Sequence, residues 1–483
     1  TSSLNTLNIG SDTDATNYST TTINGNVFAT STVLNNNGTT NSSELILASG
    51  KNVTSTITTA DANMGILTLA GGTQTVSGTV GGVGVSLEKV SSGANSSNST
   101  FVNNVYANTV ENTGTGTTTF QDNVVATNVN VNVGTSTFQD NLTATTTTIS
   151  TGTGNFNTVS GTTTSNLQFT NDGTANLNTG LTGNVTTTAN NKGTLNLVGT
   201  GPQTVTGQVG TGGVGGASLA EVNAGANGAT STFAGDVYAT NLDVEGTGTV
   251  NLGGDFTGTA IRYNADGTVV VATGNDVNSA IINNTGTDSQ GTLTLNGSST
   301  VTGQVGASGA SLKAINAGAT GSTSTFNSDV YVTNLNVAGS GTVILNSDLT
   351  GNVVATGDNK GILTTTGLNK TITGNIGSSI SLDLNTLNIG SDTDSTNYST
   401  TTINGNVFAN STVLNNGTTN SSELILASGK NITSTITTAD ANMGILTLAG
   451  GTQTVTGQVG DSINKLAEVN AGANGATSTF AGD

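Results

Sequence analysis

The chain has 483 residues with no cysteine, histidine or tryptophan, and its 28 acidic and 9 basic residues give a formal net charge of −19. Without thiols or imidazoles, disulfides, His/Cys metal sites and Ser-His-Asp or Cys-His nucleophile systems are all excluded. The few scattered bases offer no counterion-releasing surface for nucleic acid, and no apolar run approaches the ~20 residues of a membrane span.

The N-terminal stretch is repeated. Residues 4–78 return nearly letter for letter at 384–457, with an offset of 380 at Leu4 and Leu384 that falls to 379 by Glu44 and Glu423. Such self-similarity marks a repeat array, which grows along one axis without dividing into separate cores. One continuous solenoid over 1–483 is therefore expected, with a super-repeat 1–380 and a second copy beginning in 381–483. The chain starts at Thr1 without an initiator Met and stops at Asp483 inside a module, so a fragment of a longer array is expected.

Modules open on an apolar-Thr/Ser-Gly-x-apolar-Gly turn: VSGTVG at Val76, VTGQVG at Val205, Val301 and Val455, and ITGNIG at Ile372. A leucine follows, and then, at a constant interval, an aromatic: Leu87 and Phe101, Leu219 and Phe233, Leu312 and Phe326, Leu466 and Phe480. Leu4 with Tyr18 and Leu384 with Tyr398 keep this spacing. The phrase LAEVNAG within the module could make one helical turn.

Between the turns the unit is smaller. Phe101, Phe120, Phe138 and Phe156 recur at a nearly even interval, and Phe169 follows early, which reads as drift. A period near 18 is too short for a helical repeat or a propeller blade, and it suits one coil of a β-solenoid. Val129-Asn130-Val131-Asn132-Val133, Leu195-Asn196-Leu197 and Leu293-Thr294-Leu295 alternate with period two, placing Val/Leu inside and Thr/Asn outside. Glycine and Asn supply corners, and the single proline, Pro202, agrees with strands paired on both sides. The predicted fold is all-β, a parallel β-helix of stacked rungs of about 18–22 residues, with the phenylalanines as an internal ladder.

Chemistry-bearing residues are sparse. Asp12 and Asp14, with copies Asp392 and Asp394, form the only tight acidic pair. Their oxygens make weak calcium candidates, but an EF-hand loop needs Gly and Glu where Asn17 and Ile23 stand, so a solvated turn is the alternative. No catalytic or cofactor-binding set emerges, no cofactor other than calcium is suggested, and an enzyme is not expected. The glycine run from Gly210 lacks a phosphate-loop context and reads as a corner or small loop.

VTGQVG at Val205, LAEVNAGANGATSTF at Leu219, DVYATNL at Asp236 and ITGNIG at Ile372 resemble the passenger repeats of the rickettsial surface cell antigens, the outer membrane protein A and B autotransporters. The resemblance implies a β-helical passenger exported through an outer-membrane barrel, acting as adhesin or surface coat. It supplies no catalytic residues.

The expected function is a structural, extracellular cell-surface protein: a solenoid stalk, fibre or coat layer with an adhesive role. Its expected partners are itself, by end-to-end or lateral association, and a host or neighbouring-cell surface, without nucleic acid or membrane insertion of this segment. Two alternatives come from other classes. A carbohydrate-active β-helix enzyme needs acids and bases clustered on one face, but the chain has only one arginine, Arg262. A ligand-binding solenoid, for ice or glycan, needs a regular Thr-x-Thr file, for which TTTTIST from Thr145 is the suggestive stretch.

Overall fold

The computed structural model describes all residues except 1–2, 12–17, 37–40, 213–215, 379–381, 392–397, 418 and 483. Two compact units make up the chain, Thr1–Leu242 and Asp243–Asp483. Each is a parallel β-helix of strands stacked coil upon coil, and no α-helix occurs among the described residues.

One coil of the first unit shows why the sequence winds this way. The short strand Thr117–Phe120 alternates strictly, with Thr118 and Phe120 inside. A corner leads into the long strand Val124–Val131, and after a second corner Thr135–Phe138 lies in register on Thr117–Phe120. Long strands carry a built-in bend. In Val105–Asn112 the residues Val105, Ala107, Val110 and Asn112 face inward, while Asn108 and Thr109 are successive outward residues. This reverses the parity of the alternation, and the strand turns its second half onto a new side of the core. A coil alone cannot bury its few apolar side chains, so stacking supplies both the core and the backbone partners.

The phenylalanine ladder is present as expected. Phe101, Phe120, Phe138 and Phe156 are fully buried, and their rings stack at 5.0, 5.0 and 5.4 Å with interplanar angles of 11°, 8° and 4°. The next member is Leu177, paired in register with Phe156, and then Leu197. Phe169 is not a displaced rung. It closes the long strand Thr163–Phe169 and pairs with Ile149, in the other sheet. The apparent drift arises because leucine and phenylalanine fill the same inward position.

Two further expectations change. LAEVNA is the strand Leu219–Ala224, its Leu219, Val222 and Ala224 buried, and a single 3-10 turn follows at Ala226–Gly228. Inward positions are also not purely apolar. Thr147 Oγ1 and Ser165 Oγ lie 2.9 Å apart inside the coil, as do Thr32 and Ser55, and Thr412 and Ser434 at 2.8 Å. Such buried hydroxyls are tolerated because each finds a partner in the adjacent coil.

Coil length varies freely at the corners. Phe120 pairs with Phe138 after a short circuit, whereas Ile372 pairs with Ile403 after a much longer one. Corner asparagines bind successive coils together. In the first unit Asn26 Oδ1 accepts from the Asn52 amide at 2.9 Å, and Asn52 Oδ1 accepts from the Thr75 amide at 2.8 Å. In the second unit Asn352, Asn375, Asn406 and Asn431 each accept from the amide one coil on, at 2.8–3.0 Å. The residue missing from the second copy of the repeat lies between the strands Val407–Leu414 and Glu423–Leu426. The strands beside it pair alike in both copies, Val27 with Val53 and Val407 with Ile432.

Candidate functional site

Asp12, Asp14, Asp392 and Asp394, the calcium candidates, lie outside the described residues. Among the described residues no group of three or more Asp/Glu is placed to hold a metal ion. Acidic residues instead pair along the coils. Lys89 and Glu111 are 2.7 Å apart, Lys192 and Asp172 2.6 Å, and Lys313 and Asp266 2.7 Å. Arg262 makes a two-pronged contact to the buried carboxylate of Asp243, through Nε and Nη2. The hydrogen bond from Lys313 holds the Asp266 carboxyl below its ordinary range. Asp383 moves the other way, raised by burial and then by the neighbouring charge of Asp358. Proximity of two acids does not by itself make the pair a hydrolase requires.

The module turns do organise surface. At VSGTVG, the paired positions Val53 and Ile57 of one long strand are followed in the next coil by Val76 and Val80, and these by Phe101 and Val105. A long-strand side therefore becomes a short-strand side. In the second unit Val277 and Ile281 give way to Val301 and Val305, then to Phe326 and Val330. Leu349 and Val353 are followed likewise by Ile372 and Ile376, then Ile403 and Val407. Each such turn advances the frame of the coil by one side.

The final glycine of the turn makes the crossing possible. Gly306 has φ +65°, and a Cβ built on it would sit 2.3 Å from the Tyr331 carbonyl oxygen. Gly81 repeats this at φ +70° against Tyr106, 2.2 Å from its carbonyl oxygen. Only glycine accepts both the left-handed backbone and this approach. The loop beyond then overhangs an outward aromatic of the next coil, leaving a groove. One groove of 520 Å³ is lined by Gly82, Val83, Gly84, Tyr106 and Val125, with Val83 85% exposed. Another of 340 Å³ is lined by Asp288, Ser308, Tyr331 and Asn352. Sequence reading missed these grooves. The available signal was the tyrosine of VYANTV and VYVTNL, which stands at the same distance beyond the turn glycine in both cases, Gly81 to Tyr106 and Gly306 to Tyr331.

The remaining candidates resolve simply. The glycine run from Gly210 begins a side loop closed by the Thr211 amide donating to the Ala217 carbonyl at 2.9 Å. In TTTTIST, Thr145, Thr146 and Thr148 face out but Thr147 and Ile149 point inward, so this stretch is not itself a continuous exposed file. No helix among the described residues is long and apolar enough to cross a membrane. The fold and surfaces define a module-built parallel β-solenoid. No family model, curated protein or solved structure matches the chain.

Proposed function

We propose that this chain is a structural surface solenoid, a stalk or coat element whose module-turn grooves provide adhesion. The observation that supports it most is the coil-to-coil bonding within each unit, in which corner asparagines cap the amides of neighbouring coils. This construction makes a stiff element that lengthens by adding coils. The resemblance to autotransporter passengers extends the reading to export, to a location at the outer cell surface and to self-association. The neighbouring acids Asp358 and Asp383 do not by themselves argue for a catalytic role.

Electron microscopy of native material tests the proposal, together with protease shaving of intact cells. Continuous unbranched fibres or a coat layer, with the chain released by external protease, are the expected result. A chain recovered only from inside the cell as separate particles would overturn it.

A glycan ligand is a second reading, favoured by the half-buried Tyr106 and Tyr331 bordering the two grooves. Glycan-array binding that is lost on Tyr331→Ala would support it.

A further inference from the structure

One face of the first unit differs from the rest of the chain. Between the turns at Val76 and Val205, one sheet stacks seven strand segments in continuous register: Thr73–Val76, Asn98–Phe101, Thr117–Phe120, Thr135–Phe138, Thr153–Phe156, Thr174–Leu177 and Thr194–Leu197. Their outward residues form two columns. The first reads Thr73, Asn98, Thr117, Thr135, Thr153, Thr174, Thr194, and the second Thr75, Thr100, Thr119, Thr137, Asn155, Asn176, Asn196. This is the Thr-x-Thr file that uneven spacing along the chain hides, because the varying lengths are absorbed at the corners.

Four properties of the face narrow what it can meet. It carries no charge, in a chain of net charge −19, so its complement is neutral. It is regular, since none of its pairings contains a register shift, whereas a long-strand pairing such as Leu142–Ile149 on Thr163–Phe169 does. It is stiff, because the stacked phenylalanines lie directly behind it and threonine χ1 is restricted on a strand. Most of its hydroxyls are also available: Thr117, Thr119 and Thr135 make no side-chain hydrogen bond among the described residues, while Thr137 Oγ1 accepts from Asn155 at 3.3 Å and Asn155, Asn176 and Asn196 are chained to one another at 2.7–2.8 Å.

We propose that this threonine face binds ice. Successive strands repeat at about 4.8 Å and alternate residues along a strand at about 6.7 Å, so the first column sets a file about 29 Å long, all threonine but for Asn98, and the second doubles it with Thr75, Thr100, Thr119 and Thr137 before passing to asparagine. Ice is the neutral hydrogen-bonded lattice whose surface oxygens repeat at close to these two intervals. The net orders a layer of water bridging the hydroxyls, and that layer joins the lattice. A polysaccharide surface fits less well, for the columns contain no aromatic ring on which a sugar could stack. This inference is independent of the structural role proposed above.

The test uses the full chain. Thermal hysteresis and ice-crystal faceting are measured for the unaltered protein, for Thr119→Lys with Thr137→Lys, and for Thr143→Lys, an exposed position on the other sheet. Far-UV circular dichroism checks that each variant folds. The expected result is hysteresis with faceted crystals, reduced at least tenfold by the double variant and unchanged by Thr143→Lys. No hysteresis in the unaltered, folded chain would overturn the proposal, as would equal loss in both folded variants. Retention on microcrystalline cellulose without any effect on ice, abolished by the double variant, would assign the face to a polysaccharide instead and equally overturn it.

Discussion

Replacing Phe138 by alanine removes a ring that is buried on every side and stacked between Phe120 at 5.0 Å and Phe156 at 5.4 Å. Truncating a buried phenylalanine costs about 3–5 kcal/mol. Each lost stack adds about 0.5–1.5 kcal/mol beyond burial, which puts the upper end at about 8 kcal/mol. Phe138→Leu is the informative companion, because Leu177 and Leu197 hold the same position in later coils. It retains most of the burial and forfeits both stacks, a loss of about 1–3 kcal/mol. Repeat arrays open locally, so a single unfolding midpoint is the wrong readout and hydrogen exchange resolved by coil is the right one. Protection should fall in Thr117–Phe120, Thr135–Phe138 and Thr153–Phe156 and be unaltered at Val27–Leu34. A uniform loss across the chain, or no loss with alanine, would refute the ladder as a local stabiliser.

Other expectations can be checked in the same preparation. Gly306→Ala places a methyl against the Tyr331 carbonyl in a left-handed backbone, and local protection around Val305 and Val330 should fall by at least about 1–2 kcal/mol, read by hydrogen exchange. Gln74 is fully buried, accepting from the Gly71 amide at 2.9 Å and donating to the Ala48 carbonyl at 3.0 Å. Gln74→Leu strands those groups and should cost about 1–3 kcal/mol, as should Gln453→Leu in the second copy, by local exchange. Burial pushes the Tyr263 phenol well above its ordinary 10, and its hydroxyl donates to the Thr292 carbonyl at 2.6 Å. A raised acid contributes stability that is present below the unfolded value and is lost as pH rises above 10. Ultraviolet titration should therefore show Tyr263 ionising only as the coil opens, and Tyr263→Phe should weaken the alkaline transition. The Asp266 carboxyl is held low, chiefly by Lys313, so its contribution is present above 3.8 and is lost as pH falls below it. Asp266→Asn should flatten the acid limb by no more than about 1 kcal/mol, since the pair is largely exposed.

The inward alternation and the phenylalanine ladder were legible because period two and a spacing near 18 are imposed by the strand and the coil themselves. Corners obey no such periodicity. Phe169 therefore looked like a shortened rung, when the in-register successor of Phe156 was a leucine further along, Leu177. Inward hydroxyls such as Thr147 were hidden because threonine reads as an outward residue, and only its pairing with Ser165 across a coil shows otherwise. The frame shift at each module turn was invisible for a related reason. Val76 and Val80 look like any valines four apart, and their partners Val53 and Phe101 are set by which side of the coil each reaches. For the functional surfaces, the calcium candidates fall where nothing is described. The threonine net was missed because its members are scattered from Thr73 to Asn196 and share only a register.

The unequal corners carry a consequence for how such a gene changes. A one-codon loss inside a short strand such as Thr135–Phe138 would send every later side chain of that strand to the wrong face. A long strand absorbs it at the bend, for Thr163–Phe169 is one residue shorter than Leu142–Ile149 and Phe169 still pairs with Ile149. The same loss between Leu414 and Glu423 leaves the strands on both sides paired as in the first copy. Replication slippage, which low-complexity DNA invites, is thus filtered by position: errors are accommodated in corners and long-strand bends and are selected against in the short strands. Corner length is therefore the coordinate along which copies of this repeat are free to diverge while their strands stay stacked.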